Sequence, residues 1–505
     1  MIDILIKSIL ILLIIFTPIA FGSMELWAFS IMELGILLII ILWAFQSAIF
    51  TVRSRGVAGA KDGHNPWPVQ RGASFTGPQS AFVIVLLSFF LLLLLFQLLP
   101  LPSGILKILS PKTWELRQSL SFGDFQSAIR NQQSAISFVP FVTQINFFKW
   151  LTLIGLFIFL LRWKPLEQGG QTIRHLVIVV MILGVFESLY GMFEFFSGHG
   201  QILNLDEEGI VSAVTGTFIN RNYFAGYLLM VLPLSIGYLF SREAGRRKIF
   251  MGWRDRLASL DGKTLLLGFS VIVMIVGLIF SASRMGISSL LLSFTLISFL
   301  FRNPQREKKF SKTSILIFGL ALLWASWIGL DAVISRFFTS AEDFGFRWTI
   351  WANTFQILRD FPFFGSGLGT FTYIFPMYRS LHIQGLATHA ENEFLQLASE
   401  VGLVGIGLLL ILFLFLSYKA ASGIRLLTQR DRGRYIGMGG LVGILALMFH
   451  SLVERNIQVP SNAFLYTVLW AIVFRISLTE KSAISTHKIN QKNERNERDQ
   501  KDQID

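Results

Sequence analysis

The sequence predicts an all-α protein that crosses a membrane about twelve times. Three observations support this fold class: 53% of the 505 residues are hydrophobic, only 15% are charged, and the mean hydropathy is +0.59. Soluble domains carry about 25% charged residues. The run at 82–96 has no charge at all and lies in an apolar window of about 20 residues, the length that spans a bilayer as a helix.

The sequence contains no cysteine, which excludes disulfides and thiolate metal sites. Residues 1–22 begin with an apolar run that is long for a signal peptide, and no A-x-A-like cleavage site follows it. We therefore expect the first run to stay in the protein as a transmembrane helix.

Apolar windows of about 20 residues predict the twelve helices. The predicted spans are 4–21, 27–50, 81–99, 146–162, 174–196, 222–240, 264–281, 285–301, 313–331, 401–418, 436–452 and 461–478. They give three regions: 1–210 with helices one to five and an outer loop, 211–480 with helices six to twelve, and a polar tail at 481–505 that we expect to be disordered.

The basic residues predict the orientation of these helices. With the N-terminus inside, 32 of the 44 Lys and Arg residues fall in the inner loops and tails and 12 on the outer side. Because cytoplasmic loops are enriched in Lys and Arg, both termini are expected in the cytoplasm and the long loop 332–400 outside. The net charge of +13 then reflects topology and attraction to anionic membrane lipid, and it indicates no nucleic-acid partner.

The outer side carries polar groups at unusual places. Asn220, Arg221 and Asn222 stand at the outer start of helix six, and Arg284 lies in a short turn between helices seven and eight. An arginine at the centre of a spanning helix costs about 2.5–3.5 kcal/mol, so arginines this close to the hydrocarbon are either functional or snorkel to the interface.

The loop 332–400 has helical patterning of its own. Trp348, Trp351, Phe355 and Leu358 recur every three to four residues, which predicts an amphipathic helix on the membrane surface that ends at 360–362. The segment "GSGLG" at 365–369 follows.

In that segment Gly365 and Gly367 allow either a simple turn or a backbone that offers N–H groups to a bound anion. Further along, His389, Glu393 and Leu397 are spaced for one helix face. A lone histidine of this kind is either a structural hydrogen bonder or a catalyst.

Three arginines, a glycine cluster and one imidazole suit a lipid pyrophosphate at the headgroup level. Guanidinium groups bind phosphate oxygens in pairs, and a base can meet an acceptor hydroxyl. The sequence shows no compact Asp/His cluster with metal-ligand spacing, so we expect no metal and no other cofactor.

Several motifs resemble the O-antigen ligase/O-antigen polymerase family of the bacterial polysaccharide ligase-polymerase superfamily. They are "TGTFINRNYFAGYLLM" (215–230), "SASRMGISSLLL" (281–292), "FRWTIWANTFQILRDFPFFGSGLGTF" (346–371), "HAENEFLQLASEVGLVGIGLLL" (389–410) and "HSLVERNIQVPSNAFLYTVL" (450–469). Glu454 is one departure, since many members have Asp there.

The resemblance implies a fold similar to GT-C-like glycosyltransferases, with a large periplasmic loop between helices nine and ten. It also implies a bacterial inner-membrane enzyme that moves a glycan from undecaprenyl diphosphate to lipid A–core or another acceptor, without metal or nucleotide. The family's essential arginines and histidine map onto Arg284, Arg347 and His389.

The resulting hypothesis is an inverting single displacement. Arg284 and Arg347 neutralise the leaving diphosphate, with Arg221, Asn220, Asn222, Gly365 and Gly367 as further substrate-binding residues. His389 orients or deprotonates the acceptor hydroxyl, and Glu393 orients His389 or contacts the substrate. The nearest alternative is a repeat-unit polymerase of the same superfamily, followed by a protein-glycosylating relative. A transporter or lipid flippase is the alternative from another class.

Overall fold

The computed structural model describes residues 1–57, 78–120, 135–168, 170–198, 201–202, 205–206, 213–244, 261–301, 340–380, 387–428 and 431–478. Over these ranges the fold is helical, apart from a two-residue antiparallel ladder between β1 (Gln201–Ile202) and β2 (Leu205–Asp206). Within the same ranges, ten helices are long and apolar enough to cross a membrane. The predicted class, an all-α polytopic membrane protein, is confirmed.

The helices of the N-terminal half follow the apolar windows and the polar segments between them. They are α1 (Ile2–Ile19), α2 (Leu26–Val57), α3 (Pro78–Leu98), α4 (Ser103–Leu109), α5 (Pro111–Leu120), α6 (Pro140–Arg162), α7 (Lys164–Gln168), α8 (Gly170–Ser197) and α9 (Arg221–Glu243).

The C-terminal half continues with the helices that surround the polar motifs. They are α10 (Gly262–Phe280), α11 (Arg284–Leu300), α12 (Ser340–Asp360), α13 (Phe371–Ile374), α14 (Glu393–Leu426), α15 (Arg432–His450) and α16 (Pro460–Leu478).

Ten of the twelve predicted spans correspond to these ten long apolar helices, and the eighth corresponds to α11, whose apolar part is shorter. The ninth span, 313–331, the boundary at 210–211 and the tail 481–505 lie outside the described residues.

Helix α14 begins earlier than the predicted residue 401, because Asn392 caps it by accepting a hydrogen bond from Leu395 N at 3.0 Å. It passes through a kink at Gly402, where φ is 69° and a side chain would collide with Phe363 O.

Polar contacts show which helix ends lie together on each of the two sides of the bundle. At the amino-terminal end, Asp3 accepts hydrogen bonds from Gln46 on α2 and Trp163 after α6, each at 2.9 Å. At the opposite end, Thr217 before α9 donates to Pro18 O of α1 at 2.8 Å. We call this opposite side, which carries residues 340–380 and 387–392, the loop end.

Helix α9 is the central helix, since 94% of its apolar window is buried. Gly237 of α9 and Gly439 of α15 let the two backbones approach, because a Cβ on either would lie 2.3 Å from a carbonyl oxygen of the other helix. This packing fixes the start of α9 and the end of α15 side by side at the loop end.

Helix α12 belongs to a small second core that covers the loop end. Ile350, Ile357 and Phe361 pack there with α13, and Leu116 and Phe138 of the 101–138 region join them. The face of α12 that packs on the protein is therefore the one that carries Ile350, Ile357 and Phe361. Trp348 and Phe355, which belong to the predicted apolar face, are about 60% exposed and face away from the protein.

Candidate functional site

The segment 451–459, between α15 and α16, collects polar side chains from several helices at the loop end. Its Glu454 is only 3% exposed and forms an ion pair with Arg347 of α12, which also donates to Val453 O. Asn222 in the first turn of α9 donates to the same Glu454 oxygen at 2.7 Å. Three distant parts of the chain, α9, α12 and 451–459, thus meet at one carboxylate.

Burial raises the pKa of Glu454 to about 7, Arg347 opposes this shift, and the neighbouring Glu391 carboxylate adds to it. The Glu391 carboxyl group thus lies beside that of Glu454. Glu391 itself stands at a positive φ of 50° in the turn before α14. The site therefore places two carboxyl groups near the guanidinium group of Arg347.

His389 lies in the loop before α14, so the prediction that it shares a helix face with Glu393 and Leu397 is wrong. The cause is the Asn392 cap, which starts the helix after the histidine. Burial lowers the pKa of His389 to about 3, and the charges of Arg455 and Lys149 lower it further. Its Nδ1 is buried and has no hydrogen-bond partner within the described residues. The imidazole is thus neutral.

Glu393 ties two loops together. Its carboxylate accepts hydrogen bonds from the N–H groups of Asn456 at 3.0 Å and Ile457 at 3.2 Å, and its own N–H donates to Ser451 O. These hydrogen bonds hold the 451–459 segment against the start of α14, and the role of Glu393 toward His389 or the substrate stays a prediction.

Arg284 begins α11 directly after the turn at Ser281–Ser283. Ser283 Oγ lies 3.4 Å from Nε2 of His450, and the other ring nitrogen of His450 lies 3.3 Å from Asn456 Nδ2. His450 is also within electrostatic range of Arg347. The turn that carries Arg284 therefore joins the same network as Arg347.

Arg221 is the first residue of α9 and stands next to Asn222 in this network. Asn220 is the N-cap of the helix, since its side chain accepts from Asn222 N at 2.8 Å. The side chain of Asn220 thus holds the helix end. For Asn222, the described partner is Glu454.

Two basic residues of the site were not singled out in the sequence. Arg455 donates to Tyr223 OH and lies over its ring, 5.1 Å from the centroid. Lys149 on α6 donates to Gln458 O at 2.8 Å. A lysine within an apolar span and an arginine among the few outer basic residues were the available signals.

The glycine cluster binds an anion of the protein itself. Gly369 N donates to the carboxylate of Glu400 at 2.8 Å, and Gly367 N donates to Glu400 O at 3.0 Å. Gly365 packs against the Glu400 backbone, where a Cβ would lie 2.2 Å from the carbonyl. All three glycines have positive φ. Gly365 and Gly367 thus belong to a turn that holds Glu400, and their substrate-binding role stays a prediction.

Among the described residues, no group of three or more His, Asp and Glu side chains could hold a metal ion. The arrangement at the loop end is instead a set of guanidinium and ammonium groups, a carboxyl pair and a neutral imidazole around one buried segment. The protein is therefore a polytopic membrane protein with a polar site at one end of its helix bundle.

Residues 269–410 match the family model described as O-antigen ligase. This range contains Arg284, Arg347 and His389, and the match supports the O-antigen ligase/polymerase family for this chain. The family indicates a glycosyltransferase-like membrane enzyme of bacterial polysaccharide assembly that acts on lipid-linked glycans. No curated protein matches the sequence.

Proposed function

We propose that this protein transfers a glycan from undecaprenyl diphosphate to an acceptor sugar on the periplasmic face of the inner membrane. The proposal depends mainly on one observation: Arg347, Asn222 and the turn of Arg284 all join the network around the 451–459 segment. The acceptor is lipid A–core or another surface glycan.

The donor fits this end of the bundle because its polyprenyl tail would stay in the bilayer while the diphosphate reaches the headgroup level. Arg284 and Arg347 are the proposed diphosphate ligands, since guanidinium pairs well with phosphate oxygens. Glu454 forms an ion pair with Arg347. Arg347 keeps 25% of its side-chain surface exposed, which leaves a face for the donor.

The proposed step is a single displacement. The acceptor hydroxyl oxygen forms a bond to the anomeric carbon, and the bond from that carbon to the diphosphate oxygen breaks. Undecaprenyl diphosphate leaves with the electron pair, and the acceptor proton goes to His389. Attack opposite the leaving group inverts the anomeric centre, and no metal or nucleotide takes part in this scheme.

His389 suits the role of base only when the donor is present. Its pKa is lowered by burial and by the charges of Arg455 and Lys149. A bound diphosphate brings negative charge to these same cations and therefore raises the pKa of the imidazole. The proposed site thus becomes more basic when it is loaded.

The test is transfer by the purified full-length protein in vesicles that contain undecaprenyl diphosphate-linked glycan. With lipid A–core present, a ligase gives a core-linked product, whereas a polymerase gives longer lipid-linked chains with or without it. Movement of intact donor across the bilayer without a new glycosidic bond would contradict the proposal and favour a flippase.

The proposed orientation has a separate test, which uses the absence of native cysteine. Gly345 on α12 and Gly262 at the start of α10 both have open space where a side chain would begin. We expect a membrane-impermeant maleimide to label Gly345→Cys from the periplasm and Gly262→Cys only after the inner membrane is permeabilised. The reverse pattern would place the termini outside and the loop end in the cytoplasm.

A further inference from the structure

A second polar region lies at the amino-terminal end of the bundle, on the side opposite to the proposed active site. An open cavity of about 840 Å³ is lined there by residues of α8, α9, α15 and α16. Its polar walls include Arg174, Tyr238, Arg242 and Arg432, and its apolar walls include Ile173 and Ile476. None of the site residues discussed above lines this cavity.

The cavity carries an excess of positive charge. Three arginines, one from each of three helices, line it, and the described lining includes no acidic residue. Asp261 provides a counter-charge, 2.9 Å from an Nη of Arg242. Asp431 caps the same end of α15 but accepts its hydrogen bonds from Thr428. One ion pair therefore leaves two guanidinium groups without a carboxylate partner in the described lining.

The donors in the cavity are only partly used. Arg174 Nε donates to Tyr238 OH at 3.1 Å, which leaves the rest of its guanidinium fork for another acceptor. Arg242 Nε is buried and makes no hydrogen bond within the described part of the chain. A buried charged donor of this kind favours a site that is completed by an anion.

Two long helices also begin at this cavity. Helix α8 starts at Gly170 and α15 at Arg432, and both first turns belong to the lining. First-turn N–H groups have no acceptor inside their own helix, and the helix dipole adds partial positive charge there. Both features add to the attraction that the three guanidinium groups exert on an anion.

We propose that this cavity binds the phosphodiester headgroup of an anionic membrane phospholipid. Guanidinium groups match phosphate oxygens, and basic pockets between transmembrane helices at the cytoplasmic side suit anionic headgroups. The apolar walls formed by Ile173, Ile436 and Ile476 suit the glycerol and the first acyl carbons of a lipid. Free phosphate shares the polar chemistry but would make no use of those walls.

The test uses the delipidated full-length protein in detergent, with binding of phosphatidylglycerol and phosphatidylcholine followed by native mass spectrometry and by the thermal midpoint. We expect clear preference for phosphatidylglycerol, and we expect Arg432→Gln to weaken its binding about fivefold. Lys263→Gln is the matched control, because Lys263 is an exposed cation at the same end but outside the cavity lining. It should change binding less than twofold.

Arg174→Gln provides a second variant, with the same expected loss, should the exposed Arg432 contribute little. Equal binding of both lipids by the wild type would overturn the proposal. So would an equal loss in Lys263→Gln and Arg432→Gln, since that result means a general surface charge. If inorganic phosphate alone, at the same concentration, raises the thermal midpoint as much as phosphatidylglycerol does, the cavity binds free phosphate and not a lipid.

Discussion

Two buried carboxylates at the loop end, Glu400 and Glu454, differ in how the protein balances their charge. Glu400 is 2% exposed and accepts from Gly369 N at 2.8 Å, Phe371 N at 3.3 Å and Gln396 Nε2 at 3.1 Å. All of these donors are neutral. Glu454 is 3% exposed, but its partners include the cation of Arg347 and a second carboxyl group.

The difference indicates that Glu400 has a structural role, whereas the cationic partner of Glu454 can be taken over by another anion. Backbone N–H groups that are fixed by a turn cannot leave Glu400, so this carboxylate holds the glycine turn and the start of α14 together. Arg347 is a flexible, partly exposed side chain, and an incoming diphosphate can compete with Glu454 for it. We therefore expect Glu454 variants to alter catalysis and Glu400 variants to alter stability.

The largest expected effect belongs to Arg347. Lysine keeps the charge but loses the planar fork that grips two oxygens, so Arg347→Lys should lose about 10²–10³ in transfer rate and Arg347→Ala more. The assay is glycan transfer in vesicles with donor affinity measured separately. Arg359→Lys, an exposed arginine at the end of the same helix, is the control and should stay near wild type. Turnover close to normal in Arg347→Lys would reduce Arg347 to a point charge.

His389→Ala is expected to lower transfer by about 10², the lower range for a general base, while donor affinity stays nearly unchanged. The reason is that the proposed partner of His389 is the acceptor hydroxyl and not the diphosphate. The control is His175→Ala, which removes an imidazole at the amino-terminal end of the bundle, far from the proposed site. Equal transfer by His389→Ala and His175→Ala would make His389 a structural residue.

Glu400→Ala should lower stability more than activity. The change leaves the N–H groups of Gly369 and Phe371 buried without their acceptor, which costs about 1–3 kcal/mol for each such group. We expect a lower thermal midpoint in detergent and near-normal transfer at temperatures below it. Glu454→Gln should show the opposite pattern, with a small change in midpoint and a changed KM for the donor. The same pattern in both variants would remove the distinction between the two carboxylates.

The sequence alone predicts the membrane fold and the side of the bundle on which each polar motif lies, because apolar length and basic-residue distribution are local signals. It leaves open whether 365–369 is a simple turn or a backbone that binds an anion. It cannot tell that the anion is Glu400, since that choice depends on how α14 packs against the turn. The position of His389 outside the helix was predictable, because Asn392 followed by Glu393 is a helix-start signal.

Arg455 and Lys149 show why the rest was not predictable. Their charges act on His389 only because the 451–459 segment folds back over the start of α14. No spacing in the sequence encodes that approach. Glu454 was noted as a departure from the family pattern, but its contact with Arg347 requires the end of α15 to lie under α12.

The smallest expected effect is the pH dependence that Glu454 gives to stability. Its pKa is raised in the folded protein from 4.5 to about 7, mainly by burial. Between these two values the unfolded chain has lost this proton while the folded protein keeps it. The free energy of unfolding therefore falls as pH rises through this window, by up to about 1.4 kcal/mol per pH unit, and is level outside it.

Glu454→Gln removes the titrating group, so its thermal midpoint should fall less than that of the wild type between pH 5 and pH 7. Asp360→Asn is a useful comparison, because Asp360 accepts a hydrogen bond from Tyr378 at the same end but lies outside the 451–459 network. It should keep the wild-type slope in this window. A wild-type midpoint that rises from pH 5 to pH 7 relative to Glu454→Gln would mean that Arg347 holds Glu454 ionised. Glu454 would then be permanently ionised. The two carboxylates would differ only in the groups that bind them, which are neutral donors at Glu400 and a cation at Glu454.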